Sequence, residues 1–185
     1  MATRSVIAKR SSSKGGSFER KIGKLLSMWW WGEPDVLIRG AGSGSVATKR
    51  MIKKQSTLLR GEFIQIDLFE DPFPFWPELT HRKDHLSLGS LMKFPKHIFW
   101  QKWKQALRSC HNIAAPMVIF LEDRKPPIVS IPMLLMSPEI EEISTILKPP
   151  VSQGLPVLAV SLLEDFLRQP KLVAQPAIDW AGQRK

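Results

Sequence analysis

The order in which helix-like and strand-like patterns follow one another is the sequence feature that most constrains the fold. Apolar residues recur at spacings of three and four over residues 17–31 and again over residues 97–110. Extended patterns lie between these segments, and apolar runs at 117–121 and 128–131 follow the second one. This order predicts an α/β or α+β domain with a central mixed β-sheet flanked by helices.

The extended segments between the two helices carry the signals of a β-hairpin. Residues 63–69 partly alternate between apolar and polar, the stretch 70–72 is turn-like, and residues 73–80 would form the second arm. Pro74 and Pro77 restrict this second arm to a sheet edge or an irregular strand.

Composition and pattern divide the chain into three segments. Residues 1–16 are rich in Ser, Gly and Lys and predict a flexible basic arm. Residues 17–132 carry the main pattern of helices and strands and are predicted to form the core domain. Residues 133–185 are predicted to form a C-terminal extension with short helices at 138–147 and 160–167, followed by a loose tail.

Positive charge is concentrated in the first third of the chain. Residues 1–60 contain 13 basic and 3 acidic residues, which accounts for the net charge of +10, while the rest of the chain carries 14 of each sign. Such an imbalance favours a polyanionic partner, most commonly nucleic acid, because neutralising phosphates releases counterions. A solubilising tail with solvated helix faces is the alternative.

Several classes of protein are excluded by the sequence. The single cysteine, Cys110, permits neither an intrachain disulfide nor a cysteine-based zinc finger. No apolar run reaches the roughly 18 residues of a membrane span, and the basic start lacks the apolar segment of a secretory signal. The GAGSG turn lacks the following GK[ST] of a phosphate-binding loop. We therefore expect a cytoplasmic protein that does not act at a membrane.

Three glutamates lie where they could form a site for a divalent metal. Glu19 is in the first turn of the first helix, Glu62 begins the first arm of the predicted hairpin, and Glu78 lies near the end of the second. Neighbouring strands are about 4.8 Å apart, so Glu62 and Glu78 would converge at one end of the sheet if the register allows it. Mg²⁺ binds one or two carboxylates together with water and phosphate oxygens, and it can activate water. Three separate surface glutamates are the alternative.

Two groups of tryptophans have different expected roles. Residues 29–31 are consecutive tryptophans, so they cannot share one helix face, and either base stacking, a dimer contact or end packing is expected. Trp100 and Trp103 share a face and predict a core contact. Lys102 and Lys104 flank this pair and would lie on a phosphate-facing side.

Several segments together resemble the PD-(D/E)xK nuclease superfamily, and in particular its Holliday-junction-resolvase-like group from bacteriophages. The resemblance covers about residues 17–132. It rests on the turn Arg39-Gly40-Ala41-Gly42-Ser43-Gly44 followed by Arg50, on Gly61-Glu62 at a strand start, and on FPF-x-x-E ending at Glu78. It implies a restriction-endonuclease-like αβββαβ core and a homodimer in the host cytoplasm that hydrolyses DNA with Mg²⁺ or Mn²⁺. The implied substrate is branched DNA, such as a Holliday junction, during recombination.

The resemblance also implies roles for individual residues. Glu19 matches a helix glutamate that helps to hold the metal or its water, Glu62 matches the main metal-binding aspartate, and Glu78 matches the glutamate of the E-x-K motif. The residues expected to contact DNA are Arg39, Ser43, Gly44, Lys49, Arg50 and Gln105.

Two positions depart from the family pattern. Glu62 is one methylene longer than the usual aspartate, and Thr80 occupies the position of the E-x-K lysine. That lysine orients or polarises the attacking water, and threonine has no charge with which to do so. Lys83 is expected to take its place. The alternatives are a catalytically inactive DNA-binding or accessory protein with the same fold, and a protein-interaction module that uses the tryptophan cluster and the Pro-rich C-terminal part.

Overall fold

The computed structural model divides the chain into two compact units, each with its own β-sheet. The first unit spans Met1–Glu70 and the second Asp71–Lys185. The boundary between the units falls inside the predicted 17–132 segment. The structure describes residues 4–39, 58–60, 63–65, 72–82, 96–110, 114–135, 137–151, 154–171 and 177.

The first unit combines one long helix with a small antiparallel sheet. Helix α1 spans Arg4–Trp31, and strands β1, β2 and β3 span Leu37–Arg39, Leu58–Arg60 and Phe63–Gln65. Strand β3 is central, because its Ile64 pairs with Ile38 of β1 and with Leu59 of β2. From Phe18 onward, α1 buries one large apolar residue in each turn, which gives this part of the helix a continuous apolar stripe. These residues are Phe18, Ile22, Leu26 and Trp30.

A glycine and a serine set the distance between α1 and the strands of the first unit. A Cβ on Gly23 would lie 2.7 Å from the backbone oxygen of Leu37 and 2.9 Å from the ring of Phe63, so a side chain here would force a displacement. One turn later, the hydroxyl of Ser27 accepts a hydrogen bond from the Leu37 N–H at 2.8 Å. The same hydroxyl donates to the carbonyl oxygen of Gly23 at 2.7 Å. Helix α1 is therefore held against β1 by contacts with the backbone of Leu37.

The second unit is built on a five-stranded mixed sheet with the strand order β4-β5-β6-β8-β7. Strands β4 and β5 are parallel, which requires a crossover connection between them, and the other pairs are antiparallel. The strands are β4 (Phe75–Arg82), β5 (Ala115–Glu122), β6 (Ile128–Pro132), β7 (Thr145–Leu147) and β8 (Leu158–Leu162). The helices are α2 (Ile98–Ser109), α3 (Pro138–Ile143) and α4 (Leu163–Arg168).

Helices pack on both faces of this sheet. Phe99, Trp100 and Trp103 of α2 form one apolar cluster with Val118 and Phe120 of β5, as predicted for Trp100 and Trp103. On the opposite face, where strand alternation places Phe75, the Phe75 ring meets Phe166 of α4 edge-on, with centroids 6.1 Å apart. The predicted fold class, an α+β domain with a mixed sheet between helices, is confirmed.

The position of the first helix and the pairing of the third and fourth strands correct two predictions. Helix α1 begins at Arg4 rather than at Ser17, so residues 4–16 are helical and not the predicted arm. Within the described residues, the predicted hairpin of 63–69 with 73–80 is not seen, because Phe63–Gln65 pairs with β1 and β2 and not with β4. Strand β3 belongs to the sheet of the first unit and β4 to that of the second. A local pattern shows that both segments are extended but does not show which strand each one pairs with.

The C-terminal region corrects a third prediction. Residues 133–185 do not form only a helical extension, because β7 and β8 complete the main sheet and β8 lies between β6 and β7. The predicted helix over 160–167 is a strand as far as Leu162 and a helix from Leu163. The predicted helix over 138–147 ends at Ile143, where a strand follows. Short apolar runs of this kind satisfy helical and strand patterns equally well.

None of the helices in the described part of the chain is both long enough and apolar enough to span a membrane.

Candidate active site

A buried glutamate on the outer strand of the described five-stranded sheet is the centre of the candidate site. Glu78 lies in the middle of β4, and its side chain is only 5% exposed. Its partner in register on β5 is Val118, which belongs to the cluster under α2. Directly paired residues share one face of a sheet, so Glu78 lies on the face that α2 covers. A carboxylate in such a position needs polar partners, since an uncompensated buried charge is strongly destabilising.

Helix α2 supplies a lysine to this glutamate. The Nζ of Lys102 lies 3.5 Å from Oε2 of Glu78, and the lysine side chain is 19% exposed. Both members of the pair are thus largely withdrawn from solvent. Sequence reasoning placed Lys102 on a phosphate-facing side but did not connect it with Glu78. The signal was its position three residues after buried Phe99 and four before buried Ala106, which puts it at the border of the buried stripe.

The helix that carries Lys102 is anchored at both its start and its middle. The Nδ1 of His97 accepts a hydrogen bond from the backbone N–H of Phe99 at 3.1 Å and caps the helix. The indole Nε1 of Trp103 donates to Oγ of Ser130 on β6 at 3.0 Å, and that hydroxyl donates to the backbone oxygen of Val118 at 3.2 Å. These buried bonds connect α2 to β5 and β6, so the backbone next to Lys102 is fixed.

Two further predicted positions lie close to the pair along their own elements. Thr80 is two residues after Glu78 on β4, so strand alternation places it on the same face, and it is buried. Gln105 is three residues after Lys102, on a neighbouring part of the helix surface, and is exposed. Position 80, at which the resemblance predicts the E-x-K lysine, therefore lies on the face of the sheet that α2 covers.

A second set of charges lies where β4 and β5 end. The Nε2 of His81 lies 2.6 Å from Oδ1 of Asp123, and the Nζ of Lys125 lies 3.0 Å from Oε2 of the buried Glu122. His81 alternates with Glu78 along β4 and so belongs to the opposite face. This His81–Asp123 pair is therefore separate from the Glu78–Lys102 pair.

The remaining predicted site residues are only partly covered by the structure. Glu19 is half-buried on α1 of the first unit, and Arg39 is described only as the last backbone position of β1. Within the described ranges, no three His, Cys, Asp or Glu side chains come together as a metal site. The predicted residues outside the described residues are Glu62, Lys83, Ser43, Gly44, Lys49 and Arg50.

A parallel strand pair joined by a helix, with a buried acid on the first strand, is the arrangement expected of a PD-(D/E)xK nuclease core. The model of a family described as "Phage putative PDDEXK endonuclease" matches residues 10–149. The chain belongs to this family of phage PD-(D/E)xK endonucleases. No significant match was found among curated proteins or among solved structures. Membership indicates a nuclease with DNA as its substrate.

Proposed function

We propose that this protein is a divalent-metal-dependent endodeoxyribonuclease that cuts branched DNA, such as a Holliday junction. The observation that carries the proposal is Glu78, a carboxylate buried on β4 at the glutamate position of the E-x-K motif, in a chain of the endonuclease family. A symmetric junction requires a cut in each of two strands, which favours a homodimer. Recombination in the cytoplasm of the phage host is the setting that this activity fits.

The donor set in this proposal suits a hard cation. Glu19, Glu62 and Glu78 would hold Mg²⁺ or Mn²⁺, and such ions use carboxylate, water and phosphate oxygens as ligands. The bound ion would supply positive charge that makes water more acidic and stabilises charge on the phosphate. In the reaction, a water oxygen bonds to phosphorus and loses a proton. The opposite P–O ester bond breaks, and the leaving oxygen gains a proton.

The basic first third of the chain would hold the DNA backbone. On the described part of α1, the side chains of Arg20, Lys21 and Lys24 are exposed, as a phosphate-binding surface requires. Arg39, Ser43, Gly44, Lys49, Arg50 and Gln105 are the further proposed contacts. Binding through several phosphates should weaken steeply as salt is raised, whereas an apolar protein interface should not. Salt dependence therefore separates this proposal from a protein-interaction module.

Thr80 favours a second candidate, a catalytically inactive DNA-binding or accessory protein with the nuclease fold. The E-x-K lysine contributes charge at the reacting phosphate, and Thr80 cannot supply it. Lys83, three residues after Thr80 in the sequence, is one candidate for the replacement lysine.

A cleavage assay decides between these two candidates. Labelled four-way junction, flap and linear duplex would be incubated with Mg²⁺, Mn²⁺ or EDTA, using the wild type and Glu78→Gln. We expect metal-dependent cutting of the junction, reduced at least 100-fold by Glu78→Gln. Glu142→Gln, which changes an exposed glutamate on α3, is the matched control and should cut normally. Salt-sensitive DNA binding without cutting under any metal would contradict the enzyme and support the inactive protein.

A further inference from the structure

We infer that Lys102 of helix α2 is the catalytic lysine of this nuclease and takes over the task that Thr80 leaves open on β4. The inference rests on the proposed function and names a residue that acts in the same site. Its basis is the contact between Lys102 and Glu78, whose Nζ and Oε2 atoms are 3.5 Å apart.

The position of Lys102 satisfies the spatial requirement of the motif by a different route. In an E-x-K strand, the glutamate and the lysine are two residues apart and therefore project from the same face of the sheet. Glu78 and Thr80 occupy these two positions here, and α2 covers that face. The ammonium group of Lys102 contacts the Glu78 carboxylate from α2. It thus lies on the same face of the sheet to which a lysine at position 80 would extend from β4.

The environment of the pair favours a working role over a purely stabilising one. Lys102 is 19% and Glu78 5% exposed, so both charges have lost most of their hydration. Buried ion pairs of this kind contribute little net stability, because desolvation offsets most of the attraction. The same low-dielectric surroundings strengthen the field that an ammonium group exerts on a nearby phosphate or water. Because α2 is fixed and Lys102 is partly accessible, its ammonium group is well placed to act on a bound phosphate or water.

The remaining exposure of Lys102 lies next to an exposed polar residue. Gln105, one turn further along α2, is exposed, while Trp103 on the neighbouring side is fully buried. The amine is therefore at the border between the apolar cluster and solvent, where a DNA phosphate could approach. Lys104, in contrast, is exposed on the same helix, and Glu78 has no contact with it among the described ion pairs.

In the proposed step, the ammonium group of Lys102 donates a hydrogen bond to the attacking water or to a non-bridging phosphate oxygen. The water oxygen forms its bond to phosphorus and releases one proton to solvent, the P–O ester bond breaks, and the leaving oxygen takes up one proton. Lys102 stays protonated throughout and stabilises the added negative charge of the phosphate. No other reactant than water is consumed.

The test compares four variants by single-turnover cleavage of a four-way junction, with the protein in saturating excess over the DNA. The metal ion is the one with which the wild type cleaves. Lys102→Met should lower the rate constant at least 100-fold and by more than Lys83→Met does, whereas Lys148→Met, the matched control at an exposed lysine directly after β7, should lower it less than about threefold. The double variant Lys102→Met with Thr80→Lys should recover at least tenfold over Lys102→Met. Junction binding measured with Ca²⁺, without cleavage, should change less than about fivefold for every variant.

Rescue by Thr80→Lys is the readout that a structural ion pair would not produce. Thermal unfolding of each variant confirms that it is folded at the assay temperature, and Lys102→Gln replaces Lys102→Met if the latter is not. A folded Lys102 variant that cuts at the wild-type rate would overturn the inference, as would a large loss for Lys83→Met alone. Both results leave the nuclease itself intact, provided that Glu78→Gln is inactive. A wild type that binds but never cuts overturns the nuclease and, with it, the catalytic lysine.

Discussion

The two units both place a helix on a sheet, but they fix the helix by opposite means. In the first unit, the absence of a side chain at Gly23 lets α1 approach β1, and the hydroxyl of Ser27 bonds to the Leu37 backbone. In the second unit, large aromatic side chains of α2 fill the space, and the Trp103 indole bonds to Ser130. The contact of α1 with β1 is limited by the distance between their backbones, and the contact of α2 with its sheet is limited by side-chain volume. We therefore expect added atoms to destabilise the first unit and removed atoms to destabilise the second.

The largest effect is expected from removing volume in the second unit. Trp103→Ala should lower the free energy of unfolding by about 3–5 kcal/mol, because a fully buried ring and its hydrogen bond are lost. Trp103→Phe should cost less, since it keeps a ring and removes the indole donor. Denaturant unfolding measures both, with exposed Lys104→Ala as a control that should stay within about 0.5 kcal/mol. A loss below about 1 kcal/mol for Trp103→Ala would contradict this account of α2.

Adding volume should be the damaging change in the first unit. Gly23→Ala should destabilise by about 1–3 kcal/mol, although alanine is the better helix former by about 1 kcal/mol, because its Cβ would lie 2.7 Å from the Leu37 oxygen. Gly23→Val should cost more than Gly23→Ala. At Gly32, where φ is +76° and an added Cβ would meet no described atom beyond the chain neighbours within 4 Å, alanine should cost about 1 kcal/mol through backbone strain alone. A stabilising Gly23→Ala, measured by hydrogen exchange of α1 amides, would show that the contact can relax.

The smallest effect concerns the start of α3, where the changed group is an exposed carboxyl and not a buried side chain. The backbone N–H of Glu139 forms a hydrogen bond that lowers the pKa of the Glu139 carboxyl below its usual 4.5. A lowered pKa in the folded state means that stability is present above pH 4.5 and is lost as pH falls through the folded pKa. Glu139→Gln should therefore slightly flatten the pH dependence of unfolding below pH 4.5. An unchanged pH profile would show that the fully exposed carboxyl is too well screened to matter.

The sequence predicts the second unit better than the first for a physical reason. Trp100 and Trp103 at helical spacing, and two apolar runs around a charged loop, identify α2, β5 and β6 because their patterns are long and local. The pairing of β3 and the strand character of β8 escaped prediction, since pairing partners far apart in sequence decide them. Strand β4 lies at the outer position of the described sheet, as its prolines predicted.

The candidate site was also only partly predictable from the sequence, because the pattern identifies Glu78 but not its contact with Lys102. Glu78 is identified by the segment that surrounds it, because its motif is local. Its contact with Lys102 joins residues 24 positions apart, and it depends on how α2 crosses over β4. The spacing of Phe99, Lys102 and Ala106 shows only that the lysine borders the buried stripe. Which strand lies beneath that border is a property of the tertiary structure.

The place of β8 between β6 and β7 has a consequence for how the protein is made. β6 and β7 leave the ribosome before β8, and each pairs with β8 along an edge that stays open until Leu158–Leu162 is available. Open strand edges are sites at which chains associate wrongly. The sheet that carries Glu78 is thus completed by β8, which is the last of its described strands to be synthesised. A nascent chain would therefore hold an incomplete nuclease until translation has passed Leu162.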